Sequence, residues 1–160
     1  VWQKMKHAEA YKTLGTDKAK KAGKEHGVDD PQKSEKCLKC HVTAYTVDAK
    51  LKPAKWDDDL GVQCESCHGP GKKHFKARFA KASGGEEGES MDEEEVATRE
   101  QIPEDEIIAH PKKDNCVACH NKESPSFKEF LCKDRVKEIL HKDPRDTRKD
   151  AEIIDLACGK

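Results

Sequence analysis

The sequence has few residues with which to build an apolar core. Hydrophobic residues make up 34% of its 160 positions and aromatic residues 5%, whereas charged residues make up 39%. On side chains alone, such a composition favours a loosely packed or disordered chain. A large, rigid and mostly apolar cofactor would supply the missing interior. The composition therefore predicts a protein rich in cofactor.

Other features are also missing from the sequence. No run approaches the roughly 20 apolar residues that span a bilayer, so we expect no membrane span. The 31 basic and 32 acidic residues nearly cancel, and this balance gives no indication of a nucleic-acid partner. No alternating pattern typical of a β-strand stands out. The first residue is Val1 and not methionine, which fits removal of a signal peptide, although an expressed fragment or a partial sequence would begin in the same way.

Six of the eight cysteines fall into three copies of the pattern Cys-x-x-Cys-His. The pairs are Cys37 with Cys40, Cys64 with Cys67, and Cys116 with Cys119. Two thiols three positions apart on one helical turn reach the two vinyl groups of a haem, while the adjacent histidine points at the iron. The pattern therefore predicts three covalently attached haem c groups, with His41, His68 and His120 as proximal ligands.

Zinc knuckles, thioredoxin-like redox pairs and ordinary disulfides use similar cysteine spacings. A zinc site needs no histidine directly after the second cysteine, and a redox pair needs no repetition. Three copies that all end in histidine therefore favour haem attachment. Because this attachment takes place after export, we expect the protein in a periplasm or outside the cell.

Two cysteines, Cys132 and Cys158, lie outside the motifs. In an oxidising compartment they either pair as a disulfide or remain as two buried thiols. The sequence leaves both possibilities open, because it does not give the distance between them.

Five further histidines are candidates for second axial ligands, namely His7, His26, His74, His110 and His141. With only two methionines present, this supply favours bis-histidine ligation and low reduction potentials. His7 lies in a short helix-like segment, His74 follows a glycine-bounded turn, and His110 precedes a proline; these three are the favoured ligands. His141 ends a helix-like run over 127–140, where a histidine also suits a helix C-terminus, and His26 fits a solvated cap.

The order of segments predicts a mostly α fold, in which short helices and long loops wrap around the haems with little or no β structure. We expect a single domain over residues 1–160. Residues 84–106 form a strongly acidic loop or insert, preceded by a basic stretch that includes Lys72 and Lys81. This insert is either a solvated loop or a docking surface for a basic redox partner.

Longer stretches around the motifs are also distinctive. They include Trp2-x4-His7-Ala8, residues 36–43 around the first motif, residues 61–74 around the second, His110-Pro111, and Asn-x2-Ser-Pro-x-Phe at 121–127. In these stretches the chain resembles the cytochrome c-554 type of multihaem cytochromes. The resemblance implies a mostly helical fold, haems in near contact, and electron transfer.

The resemblance also implies pairings of histidines with haems. It assigns His7 to the Cys64/Cys67 haem and His110 to the Cys116/Cys119 haem. The Cys37/Cys40 haem then matches a family position that can lack a distal histidine, with Ser124 and Pro125 as a candidate cover. The family usually carries a further motif before Trp2, and its haem takes the histidine that corresponds to His74. Three alternatives follow for His74. It binds a haem on a lost amino-terminal segment, a haem on a partner subunit, or the Cys37/Cys40 haem of this chain.

The leading interpretation is an electron-transfer protein that relays electrons between redox protein donors and acceptors. The alternative is an enzyme that reduces a small nitrogen or sulfur oxide at an open Cys37/Cys40 haem. No lysine replaces a motif histidine, as it does in the pentahaem nitrite reductases, so the enzyme is disfavoured. A third interpretation is a homo-oligomer or larger haem complex in which the relay crosses subunit interfaces.

Overall fold

The computed structural model describes residues 2–78, 105–142 and 146–159. Short helices joined by irregular segments make up these ranges, and no strand occurs in them. The α-helices are α1 (Ala10–Leu14), α2 (Asp17–Glu25), α3 (Glu35–His41), α4 (Cys64–His68), α5 (Lys72–Arg78), α6 (Lys113–Val117), α7 (Cys132–Ile139) and α8 (Asp150–Cys158). The 3₁₀ turns are Trp2–Lys4, Lys6–Glu9, Ala49–Leu51 and Asp58–Leu60. The prediction of a mostly helical fold is confirmed.

The amino-terminal half has a small apolar cluster between α1 and α3. Leu14 of α1 packs with Leu38 and Val42, and the partly buried Tyr11 and Tyr45 lie against them. The apolar positions 11 and 14 fall on one face of α1 because they are three residues apart. This cluster holds the helix of the first haem motif against the segment that follows His7.

The carboxy-terminal cluster lies between α7 and α8. Cys132, Val136 and Ile154 are buried together, and Phe130 packs against them. Cys132 and Cys158 form a disulfide with a Cα–Cα distance of 5.7 Å, so the pairing that the sequence left open is present. The two helices and their disulfide are called the C-terminal hairpin below.

The helix predicted over 127–140 begins later, at Cys132. Residues 127–131 are irregular, and the amide of Phe127 bonds to the carbonyl of Ser124 in a turn. Phe130 lies with its ring centroid 5.2 Å from that of His120. Packing of this aromatic side chain on the third motif favours the irregular backbone over the helix that the apolar spacing predicts.

Apolar burial is limited elsewhere in the described residues. Leu51 is 78% exposed, Leu131 is 55% exposed and Ile108 is 41% exposed. Exposed apolar side chains of this size are what a protein would place against an apolar cofactor. None of the helices in the described ranges is long and apolar enough to cross a membrane. Most of the acidic segment 84–106 lies outside the described residues.

Candidate functional site

Each of the three Cys-x-x-Cys-His motifs lies on a helical turn. The first closes α3 and the second makes up the whole of α4. In the third, Cys116 lies in α6, and the amides of Cys119 and His120 both bond to the carbonyl of Cys116. A helical turn places the two thiols and the histidine of a motif on adjacent faces, as attachment to one haem requires.

The thiols of the three motifs converge. Burial first, and then the nearby Cys40 and Cys67 thiols, together raise the pKa of the Cys119 thiol to about 12. Burial and the neighbouring Cys116 also raise the pKa of Cys67. Cys119 therefore lies near one thiol of each of the other two motifs. None of the six motif cysteines is in a disulfide.

Two proximal histidines are oriented by backbone carbonyls. Nδ1 of His41 lies 2.8 Å from the carbonyl oxygen of Ala10 in α1, and Nδ1 of His68 lies 2.6 Å from that of Ile108. A carbonyl oxygen only accepts, so Nδ1 carries the proton and Nε2 keeps its lone pair. Histidines that bind a metal through one ring nitrogen commonly donate a hydrogen bond from the other in this way. Both residues thus present the nitrogen that an iron would bind.

Two pairs of histidine rings lie close together and nearly perpendicular to each other. The ring centroids of His7 and His120 are 6.0 Å apart at an interplanar angle of 76°, and those of His68 and His141 are 5.7 Å apart at 70°. Two imidazoles bound through nitrogen to one metal atom have centroids about 6 Å apart. Burial lowers the pKa of His7, His68 and His120, which favours the neutral imidazole that binds metal.

These pairs differ from those implied by the family resemblance. The resemblance assigns His7 to the haem of His68, whereas the structure places the His7 ring against His120. The backbone of His7 nonetheless lies at the second motif, since its carbonyl accepts from the amide of Val62 at 3.0 Å. The side chain extends from there towards the third motif. His141, which the sequence did not favour, is the ring beside His68.

His110 is held by an arginine. Nη2 of Arg148 lies 2.6 Å from Nε2 of His110, and Arg148 also bonds to Asp146 through Nε at 2.8 Å and Nη2 at 2.7 Å. These hydrogen bonds lower the pKa of Asp146 to about 2. A guanidinium only donates, so it engages the lone pair of His110 Nε2. The Nε2 atom of His110, implied by the resemblance as a ligand of the Cys116/Cys119 haem, is thus bonded to Arg148 in this structure.

Sequence reasoning missed both partners of His110. Asp146 and Arg148 are two positions apart, a spacing at which the carboxylate also accepts from the Arg148 amide at 3.0 Å. This local turn was the available signal.

The remaining favoured candidate, His74, is paired with a carboxylate. Its Nδ1 lies 2.6 Å from Oε1 of Glu106, whose side chain is buried. A carboxylate on Nδ1 raises the basicity of a ligating imidazole. His26 lies exposed at the C-terminal end of α2, as its interpretation as a cap predicts.

The first motif has a different neighbour. Nζ of Lys39 lies 2.5 Å from Oε2 of Glu123, so the segment that precedes Ser124 and Pro125 lies beside α3. This is the segment that the resemblance implies as a cover for the Cys37/Cys40 haem. Within the described ranges, the His41 ring contacts no second histidine ring.

These residues fit covalently bound haem. Each motif supplies two thiols and a histidine on one turn, and exposed apolar side chains such as Ile108 lie next to them. A haem iron needs only two protein ligands. Among the described residues, no group of three or more His, Cys, Asp or Glu side chains is arranged to hold a bare metal ion.

Comparison with known proteins finds one family that resembles part of the chain. The model for the cytochrome c554 and c-prime family matches residues 1–69, a segment that contains His7 and the first two motifs. No curated protein and no solved structure matches the chain. Cytochromes of this type bind haem covalently, carry electrons and are typically exported. Residues 1–69 of this chain, less than half of its length, are therefore similar to the cytochrome c-554 type family.

Proposed function

We propose that this chain is a three-haem electron-transfer protein in which electrons pass between closely spaced haems within a single domain. The haems are attached through Cys37/Cys40, Cys64/Cys67 and Cys116/Cys119, with His41, His68 and His120 as proximal ligands. The donors and acceptors are redox proteins in a periplasm or outside the cell. When bound, the haems supply the one-electron chemistry.

The observation that carries this proposal is the convergence of the motif thiols. Burial raises the pKa of Cys119 of the third motif most, and Cys40 of the first motif and Cys67 of the second contribute in the same direction. Electron transfer through protein slows steeply with distance, so a relay needs its redox centres close together. Attachment points that meet in this way support three haems in near contact.

The protein holds each haem through several of its own groups. The Ala10 and Ile108 carbonyls orient the imidazoles of His41 and His68. The apolar clusters on α1, α3 and the C-terminal hairpin fix the backbone around the motifs. The ring of His7 lies beside His120 and supports His7 as the distal ligand of the Cys116/Cys119 haem.

The experiment is a denatured mass of the purified, exported protein. We expect the mass of the chain plus three haems, and a stepwise redox titration that accounts for three electrons. Changing Cys64 and Cys67 to serine should remove one haem. The matched control, Cys132→Ser with Cys158→Ser, should keep all three. A mass that fits fewer than three haems in the unaltered chain contradicts the proposal.

A further inference from the structure

The C-terminal hairpin brings one histidine to the second motif. His141 follows α7 directly, and its ring centroid lies 5.7 Å from that of His68. The residue lies far beyond the segment 1–69 that matches the family model, so the family match assigns it no role.

Both rings of this pair have the same proton arrangement. Nδ1 of His68 bonds to the carbonyl of Ile108 at 2.6 Å, and Nδ1 of His141 bonds to the carbonyl of Ile139 at 3.0 Å. Because carbonyl oxygens only accept, each Nδ1 carries a proton, and in the neutral form of each ring Nε2 then has a lone pair. Two unprotonated Nε2 atoms on neighbouring rings are what axial ligation of one iron requires.

The position of His141 is fixed by contacts on both sides. The disulfide between Cys132 and Cys158 ties α7 to α8. The next residue after His141, Lys142, donates from Nζ to the carbonyl of Arg148 at 2.5 Å and lies 3.6 Å from Asp150. Because these contacts join the end of α7 to the start of α8, the His141 ring is held beside the second motif.

Another histidine near His68 is differently engaged. His110 follows two residues after Ile108, whose carbonyl is bonded to His68, but its Nε2 accepts from Arg148 at 2.6 Å. Its lone pair on that nitrogen is therefore already bonded. His7, the ligand implied by the family resemblance, lies with its ring against His120.

We infer that His141 is the distal axial ligand of the Cys64/Cys67 haem. The C-terminal hairpin then completes a haem whose attachment site lies in the family-matched part of the chain. This inference rests on the proposed function, because it requires a haem at Cys64 and Cys67.

The test compares three variants of the full, haem-loaded chain, namely His141→Ala, His110→Ala and His26→Ala. The number of haems is measured by mass, and the number of high-spin ferric irons per chain by electron paramagnetic resonance. We expect His141→Ala to keep three haems and to gain one high-spin iron relative to the unaltered protein. Added imidazole should return that iron to low spin. His26→Ala, an exposed matched control, and His110→Ala should leave the count unchanged.

A second variant, His141→Met, covers the case in which alanine impairs folding. Methionine in place of histidine raises the reduction potential of a bis-histidine haem. We expect one of the three potentials to shift upwards while the iron stays low-spin. Three bound haems with an unchanged spin count in His141→Ala, or a new high-spin iron in His110→Ala instead, would overturn the inference. Fewer than three haems in the unaltered chain would instead count against the proposed function.

Discussion

The amide of Val62 donates to the carbonyl oxygen of His7, with the two atoms 3.0 Å apart. The indole nitrogen of Trp2 donates to the carbonyl of Val62 at 2.8 Å, so the amino-terminal segment runs along the start of the second motif. Gly61 lies at this crossing with a φ of +67°. A Cβ atom at Gly61 would lie 2.9 Å from the His7 carbonyl oxygen. The crossing therefore requires glycine both for its φ and for its small size.

Gly61→Ala should destabilise the protein by more than the equivalent change at Gly27. Gly27 has a φ of +69°, and nothing lies within 4 Å of its added Cβ atom. Gly27→Ala should therefore lower the free energy of unfolding by about 1 kcal/mol, the cost of holding alanine in the left-handed conformation. At Gly61 the clash with backbone should add about 1–3 kcal/mol. Guanidinium unfolding followed by circular dichroism measures both, and equal losses would contradict the close crossing.

Thr43→Val should be destabilising because the Thr43 hydroxyl is buried and doubly bonded. It accepts from the amide of Gln63 at 2.6 Å and lies 2.6 Å from the hydroxyl of Ser66. Valine keeps the shape but leaves the Gln63 amide without its partner, at a cost of about 1–3 kcal/mol. The control is Thr13→Val, whose exposed hydroxyl bonds to the Glu9 carbonyl and whose loss should cost less than about 0.5 kcal/mol. Chemical unfolding of both variants distinguishes them, and similar costs would mean that the Thr43 contacts are unimportant.

Replacing both Cys132 and Cys158 with serine should lower the free energy of unfolding by about 3 kcal/mol, since the disulfide closes a loop between residues 26 positions apart. The haem count by mass should not change, because neither cysteine belongs to a motif. The measurement is thermal and guanidinium unfolding of the oxidised proteins. An unchanged midpoint would show that the C-terminal hairpin does not depend on its cross-link.

The local parts of the site could be predicted from the sequence. Two thiols and a histidine on one turn are fixed by spacing alone, and α3 and α4 carry the first two motifs as expected. Contacts between distant segments could not be predicted in the same way. The ring pairs of His7 with His120 and His68 with His141 depend on how separate segments pack. The late start of α7 has a similar cause, because Phe130 packs on His120, a contact that helical periodicity does not encode.

The Cys37/Cys40 haem should be the high-spin centre of the three. By resemblance it corresponds to a family position that can lack a distal histidine, and the proposed distal ligands His7 and His141 serve the other two haems. Lys39 and Glu123 bring the Ser124 segment alongside this motif. Electron paramagnetic resonance of the oxidised protein should show one high-spin iron that converts to low spin on addition of cyanide. A spectrum with low-spin iron alone would contradict this prediction and the idea that a small molecule binds at an open iron of the Cys37/Cys40 haem.

The acidic run 86–95 should make electron transfer from a basic partner dependent on salt. Exposed charges are screened beyond about 10 Å at 0.1 M ionic strength, so the rate of reduction by a cationic protein should fall as salt rises. Glu93→Gln with Glu94→Gln should weaken this dependence. The control is Glu25→Gln with Asp29→Asn, two exposed acidic residues elsewhere. Rates that are insensitive to salt in every variant would favour a solvated loop without a docking role.

The disulfide of the C-terminal hairpin bears on how the protein matures. Eight cysteines that oxidise at random can pair in on the order of a hundred complete ways. Once the proposed thioether bonds have consumed the six motif thiols, Cys132 and Cys158 have only each other. The order of the two reactions then decides the yield: haem attachment that precedes oxidation leaves a single possible product, whereas early oxidation would trap motif thiols in bonds that must be reduced again. With three haems attached as proposed, the cross-link between α7 and α8 makes correct assembly sensitive to the thiol reductants present where haem is attached.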